Sequence, residues 1–397
     1  MNDYFQRVEP LLSQFLMERY WATPWSKEKS LPDHVYKSLA THVKYLSDAF
    51  TTSREKLAPD YFRQKEARSA YLLYFHLANV MRNYSVLSNL LSTPLLPKRP
   101  LRVLDLGSGL GSASWAFLYA MEQKKINVEE LVLVDQDQKV LEDASKLYGK
   151  MLKEKLLPEV AHKYLAYDLS KPFQAKKLIH QGAFDVIVSS NMLNEMSGTT
   201  VDEMANFFLT RMDEQLADDG VMILVEPAMM KTSRMLTQLR DKLLTSGRVN
   251  TPLPCMHNGP CPLNNEPRDW CHFEADWTPP HVRQRLEKSL DHGTGTLKYS
   301  YVAFQKGKKP HPPYRKKNAP YRVLSNVLES REGFAVLLCE PEKKISLELG
   351  KKRLDVLPQF KKLKRGDVFQ HPIEMASQKH PYATSARLKS VKAPEEE

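Results

Sequence analysis

The chain has 397 residues, a hydrophobic fraction of 42%, four cysteines and a formal net charge of +11. It is too long for one typical core, so two or three domains are expected. No apolar stretch reaches the roughly 18 residues of a membrane-spanning helix, and four cysteines in a chain of this length do not make a disulfide scaffold. The first fifteen residues carry Asp3 and Glu9 and no apolar signal core, which fits neither a secretory signal nor an acid-poor transit peptide. A bacterial cytoplasm is the expected home, with no membrane partner. The charge is uneven: residues 281–392 hold 25 Lys/Arg against 10 Asp/Glu, whereas residues 1–280 hold 33 against 34. A one-sided positive field is the footprint of a polyanion partner, with a merely solvated surface as the plain alternative.

Residues 1–95 show apolar residues at three- and four-residue intervals, as in Asp33–Phe50 and Tyr61–Leu91, and predict an all-helical N-terminal domain. Tyr20, Trp21 and Trp25 read as packing material. Thr93–Pro100, with three prolines, is a linker. Then comes LRVLDLGSGLGSASW (Leu101–Trp115): a short apolar strand, glycines at Gly107, Gly109 and Gly111, and the start of a helix. Alternate glycines let backbone approach a ligand, and the new helix offers unpaired N–H groups. The G-x-G-x-G spacing with Asp105 two residues ahead resembles motif I of class I S-adenosylmethionine-dependent methyltransferases rather than the dinucleotide G-x-G-x-x-G. Asp135, closing the strand LVLVD, is placed to accept ribose hydroxyls.

Strand and helix patterns alternate from 101 to about 306, predicting a mainly parallel sheet covered on both faces. Asp168, after the third strand at His162–Tyr167, is placed to reach an adenine edge. Asn191, Asn194 and Glu195 follow the fourth strand, FDVIVSS, where a methyl acceptor would arrive. Glu226 and Pro227 end the fifth. For each, a helix cap or turn residue is the plain alternative. Residues 251–273 (TPLPCMHNGPCPLNNEPRDWCHF) contain five prolines, which argue against helix or central strand, and three cysteines: Cys255, Cys261 and Cys271. A loop this long needs something to order it. With Cys339 in the apolar run FAVLLCEPE, four thiolates suit tetrahedral zinc or an iron–sulfur cluster. The lack of paired C-x-x-C knuckles makes zinc the less natural of the two. His257 and His272 are possible substitute ligands.

The basic, proline-rich connector 307–320 includes Lys316 and Lys317. Strands at Tyr321–Val327, Gly333–Cys339 and Ile345–Leu349 predict a small β barrel or sandwich, 321–372. Lys351, Lys352, Arg353, Lys361, Lys362, Lys364 and Arg365 give it a strongly basic side, suited to a polyanion. Residues 373–397 lose periodicity and are expected to form a flexible tail.

Taken together, DLGSGLGSASWA, SSNMLNEM, CMHNGPCPL, DWCHF and LKYSYVAF resemble the methyltransferase-like family of small-ribosomal-subunit proteins, whose mitochondrial members assist small-subunit assembly. The resemblance covers about 90–350. Members commonly have CPHDGPCP, whereas this chain has Met256 and Asn258 at the proline and aspartate positions and keeps its cysteines. With no mitochondrial targeting segment, a bacterial-type member is expected. The resemblance implies an α/β fold of the class I methyltransferase (Rossmann-like) type, spanning 96–306 between the helical and β domains. It implies S-adenosylmethionine at Asp105, Gly107, Gly109, Gly111 and Asp135. It also implies a [4Fe–4S] cluster on Cys255, Cys261, Cys271 and Cys339, and binding to small-subunit ribosomal RNA on a subunit precursor. The expected function is a small-subunit assembly factor, monomeric off the ribosome. The alternative is an active rRNA methyltransferase with a structural zinc site. No N-P-P-Y/F tetrapeptide of base amino-methylases is present, and the cysteines look committed to metal rather than to a C5-methylation adduct.

Overall fold

A computed structural model describes residues 1–27, 29–51, 64–171, 174, 176–196, 198–290, 295–307, 320–331, 333–340, 343–350, 357–370 and 389–390. The chain divides into two compact units. The first comprises Met1–Asn89, Lys98–Ser190 and Ala275–Leu297; the second comprises Leu90–Pro97, Asn191–Glu274 and Lys298–Glu397.

In the first unit, helices run over Asn2–Arg19 and Asp33–Thr51. A third runs over Lys65–Leu91, with a π turn at Tyr71–His76 in its middle. Val35, Leu39, Val43 and Leu46 recur every three to four residues and are fully buried, so the helical period is the burial period. Tyr20 and Trp21 are packing material as expected. The Tyr20 hydroxyl donates to buried Asp143 (2.9 Å) beside Arg19 (2.7 Å), and the Trp21 indole donates to Ser69 Oγ (3.2 Å). Strands β1 (Leu101–Leu106), β2 (Val128–Asp135), β3 (Ala161–Ala166) and β4 (Phe184–Ser190) are all parallel, in the order β3-β2-β1-β4. Buried runs such as LVLV and DVIV reflect a sheet covered on both faces. The register pairs Leu106 with Val134 and Ser189, so β1, β2 and β4 end together at one edge.

The second unit holds β5 (Leu216–Pro227), β6 (Val249–Leu253), β7 (Phe273–Asp276, its first two residues) and most of β8 (Thr296–Lys306). β8 runs antiparallel to both β5 and β6, in the order β5-β8-β6. The cysteine segment is therefore not loop from its first residue: Thr251, Pro252 and Leu253 belong to β6. A proline is tolerated there because β6 closes the strand order and its register slips between Asn250 and Leu253. Four parallel strands alternating with helices in the first unit, and a late strand reversed against β5 in the second, make this the class I methyltransferase fold.

Further along the second unit lie β9 (Pro320–Val323), β10 (Leu328–Glu329), β11 (Gly333–Glu340), β12 (Lys343–Gly350), β13 (Val368–Gln370) and β14 (Lys389–Ser390). They form one antiparallel sheet, ordered β10-β11-β9-β13-β14 with β12 on β11. Val323, Val336, Leu338 and Phe360 pack its core. Lys389 and Ser390, expected in the tail, pair with Gln370 and Phe369. The rest of the expected tail after 372 lies outside the described residues, as does most of the connector. Among the described residues, no helix is long and apolar enough to cross a membrane.

Candidate cofactor cradle and cysteine cavity

The glycine loop has the backbone its sequence demands. Gly107, Gly109 and Gly111 have φ of 69°, 53° and 83°, the left-handed region that a Cβ disfavours. At Gly111 space is also lacking, because an added Cβ would stand 2.5 Å from the Trp115 ring. At Gly109 it would meet nothing within 4 Å, so the space above that residue is open. Gly111 opens the helix Ser112–Gln123. Asp135 clamps the loop: Oδ2 accepts from Gly109 N (2.9 Å) and Oδ1 from Asp137 N (3.0 Å). Burial raises its pKa. A carboxylate has about four lone-pair sites, so the clamp leaves capacity for hydroxyl donors.

Asp105 lies beneath the loop, buried. Its Oδ2 accepts from Ser114 Oγ (2.6 Å) and Ser114 N (3.2 Å), fixing the helix to β1, and burial raises its pKa to about 7. Its Oδ1 has no partner among the described residues, nor do the buried hydroxyls of Ser108 and Ser189. Asp168 is already bonded within its own turn. Its Oδ1 accepts from Ser170 N (3.0 Å) and Ser170 Oγ (2.5 Å), and its Oδ2 pairs with Lys171 (3.2 Å). These bonds hold its pKa below the usual range. A serine two residues on makes Asp168 a turn-former, the plain alternative for this position. No motif marks His76, whose Nδ1 lies 2.8 Å from Ser112 Oγ.

In the second unit, Asn191 adopts φ 64°, which asparagine tolerates, and its N–H donates to Val225 O (2.8 Å). Asn194 and exposed Glu195 sit on a short 3-10 turn, Leu193–Glu195. Buried Glu226 accepts from Leu193 N (2.8 Å) and anchors that turn.

Cys255, Cys261, Cys271 and Cys339 line one cavity together with His257 and Arg240. Burial pushes the Cys261 thiol up to about 12 and raises those of Cys271 and Cys339. His257 Nε2 is 3.4 Å from Cys339 Sγ, while its Nδ1 donates to Gly259 O (3.1 Å). His272 instead faces the Trp270 carbonyl through Nδ1 (3.0 Å). Among the described residues, no group of three or more His, Cys, Asp or Glu is gathered as one that could hold a metal ion. The four thiols share a space without closing on a point.

What orders the loop in this structure is the helix Met230–Thr245. Arg234, Thr237, Arg240 and Asp241 recur along one face of it. Arg234 reaches Glu266 O, and Thr237 donates to Asn264 Oδ1 (2.5 Å). Arg240 donates to the carbonyls of His257 and Gly259 (both 2.6 Å), and Asp241 accepts from Cys261 N (2.9 Å) and Asn264 (2.7 Å). From the β sheet, Arg322 donates to Pro254 O (2.9 Å) and Lys344 pairs with Glu266 (2.9 Å).

Of the residues expected to meet RNA, Lys361, Lys362 and Lys364 are exposed. Arg365 is not. Its side chain is 13% exposed and turned toward Asp269 (3.9 Å), because the turn that displays the lysines points the next residue inward. Lys316, Lys317, Lys351, Lys352 and Arg353 lie outside the described residues.

The family described as mitochondrial small ribosomal subunit Rsm22 matches residues 66–371 of this chain. No functionally curated protein matches it. Among solved structures, it is similar to magnesium protoporphyrin IX methyltransferase from Synechocystis PCC 6803, at 12% identity over 67% of this chain and all of that one, with a TM-score of 0.36. It is also similar to ribosomal protein L11 methylase from Lactobacillus delbrueckii subsp. bulgaricus, at 12% identity over 58% of this chain and 78% of that one, TM-score 0.30. A third is the rRNA methyltransferase aviRa from Streptomyces viridochromogenes, at 12% identity over 38% and 74%, TM-score 0.30.

Proposed function

The chain belongs to the Rsm22 family of the small ribosomal subunit, and from that membership we propose that it is a small-subunit assembly factor that binds S-adenosylmethionine and ribosomal RNA. The observation that carries the cofactor is the glycine loop clamped by Asp135, open above Gly109 and flanked by buried polar atoms that lack partners among the described residues. Asp135 would hold the ribose, the glycines admit the ligand against backbone, and the helix Ser112–Gln123 directs its N-terminal N–H groups at the ligand's anionic end. The bound cofactor supplies an electrophilic sulfonium methyl. Calorimetry with S-adenosylmethionine tests the reading. Gly109→Leu and Asp135→Ala should each weaken binding strongly, and equal affinity in all three proteins would sink it.

Four thiols on one cavity suit the all-thiolate shell of an iron–sulfur cluster, which Cys255, Cys261, Cys271 and Cys339 would hold. Such a group would cross-link the cysteine loop to β11. Anaerobically purified protein should then carry about four irons per chain; one zinc per chain would replace the cluster with a structural ion. For RNA, the support is the excess of Lys/Arg in residues 281–392 and the exposed lysines at 361, 362 and 364. Affinity for small-subunit RNA should fall steeply with salt.

A further inference from the structure

The helix continuing from the π turn carries a polar stripe. His76, Asn79 and Asn83 recur at three- and four-residue intervals, share one face, and are all buried. Buried polar groups need partners. Asn83 Nδ2 donates to Ser190 Oγ at the end of β4 and to Asn79 O, both at 2.9 Å. Asn79 Oδ1 accepts from Arg82 (2.7 Å). His76 Nδ1 meets Ser112 Oγ at the first residue of the helix that follows Gly111. The stripe therefore runs from the mouth of the glycine loop to the end of β4. In the strand order that is the side of β1 opposite Asp135, which ends β2.

His76 is left incomplete where the amides are not. It is 1% exposed, and its Nε2 has no partner among the described residues. Burial lowers its pKa to about 3, so the ring is neutral near neutral pH. We assign the Ser112 hydroxyl as the donor to Nδ1, which leaves the single ring proton on Nε2. A buried N–H donor thus stands without an acceptor beside the first turn of a helix, whose own N–H groups also seek one. The two ends of the cradle are chemically opposite: Asp135 only accepts, whereas the His76 end donates. π turns inside α-helices recur at functional positions, and this one ends on His76.

We propose that His76 is a cofactor-binding residue whose Nε2–H donates to the carboxylate of the amino-acid end of S-adenosylmethionine, while Asp135 takes the ribose end. This rests on the cofactor reading above. An acceptor-only carboxylate suits hydroxyl donors, and a lone N–H beside a helix N-terminus suits an anion.

Two side-chain replacements separate the ring's two nitrogens. His76→Asn places an amide near the Nδ1 position, keeping the Ser112 contact and removing Nε2. His76→Gln supplies an N–H near Nε2. Calorimetry on the full chain would use S-adenosylhomocysteine, which has the carboxylate, and 5′-methylthioadenosine, which lacks it. Thermal unfolding would report any purely structural damage. In the Asn variant, S-adenosylhomocysteine should bind about 10- to 100-fold more weakly, the scale of one hydrogen bond to a charged group, with methylthioadenosine unchanged. The Gln variant should recover most of the loss. Equal weakening of both ligands, or of neither, overturns the role of His76 while leaving the cofactor site standing. A wild-type protein that binds neither ligand overturns the cofactor site and this proposal together.

Discussion

The glycine loop and the cysteine loop are the two irregular segments proposed as ligand sites, yet they are held in opposite ways. The first is fixed within 35 residues by backbone: three left-handed glycines and one strand-end carboxylate bonded to Gly109 N. The second is irregular and proline-rich, and side chains on the helix Met230–Thr245 grip its carbonyls and amides. A cradle made of dihedral angles announces itself in a short motif. A cradle made of distant donors shows only its reactive residues and hides its supports.

The largest test of that contrast is Arg240→Met. It leaves the buried carbonyls of His257 and Gly259 and the Asp241 carboxylate short of a donor, and should cost about 3–5 kcal/mol in denaturant unfolding. Proteolysis between 255 and 266 should rise in parallel. A loss under about 1 kcal/mol, within the range of ordinary surface substitutions, would mean the helix does not hold the loop.

Asp105 gives the next effect, through pH. Its folded pKa, about 7, lies above the ordinary carboxylate value. Its stabilising share is therefore complete below about pH 4 and is lost as pH rises through 7. Relative to wild type, Asp105→Asn should gain roughly 2–4 kcal/mol between pH 4 and 8, because it keeps the Ser114 acceptor without a buried charge. A pH-independent difference between the two proteins would contradict this.

Paired alanine substitutions compare two glycines of one loop. Gly111→Ala should cost about 2–4 kcal/mol, since left-handed strain adds to the collision with Trp115. Gly109→Ala should cost about 1–2 kcal/mol from the backbone alone. Equal costs would mean that the Trp115 contact relaxes freely. The smallest stability effect belongs to the surface. Reversing Lys361, Lys362 and Lys364 to Glu should move stability by no more than about 0.5 kcal/mol. It should still lower the slope of log affinity against log salt by about 2–3 for single-stranded or duplex RNA segments. An unchanged slope would move the RNA surface elsewhere.

Much of the fold was legible because burial and periodicity coincide. The runs at Leu101–Leu106, Phe184–Ser190 and Gly333–Cys339 are strands within a residue of where the pattern puts them. The glycines and Asp135 were legible because their geometry is local. Asp168 shows why such residues are hard to read: an acid after a strand has the same signature whether it meets a ligand or closes a turn, and here it accepts from Ser170. Arg365 differs from its neighbours because charge in a basic run says nothing about which residue of a turn faces inward. His76 was invisible for a different reason. A histidine in FHLANVMRN reads as core, and its meeting with Ser112 lies 36 residues away in sequence.

Pro252 has a consequence beyond local shape. It sits in β6, the last strand of its order, where the pairing register also slips. An outermost strand with a regular run of N–H and C=O groups is a template on which another polypeptide can add itself, the first step of fibrous aggregation. A proline removes one donor from that run, and the slip bends what remains, so a continuous ladder cannot be copied from it. The first proline of the cysteine segment thereby also blunts an adhesive border, protecting a concentrated solution of this protein from growing strand by strand.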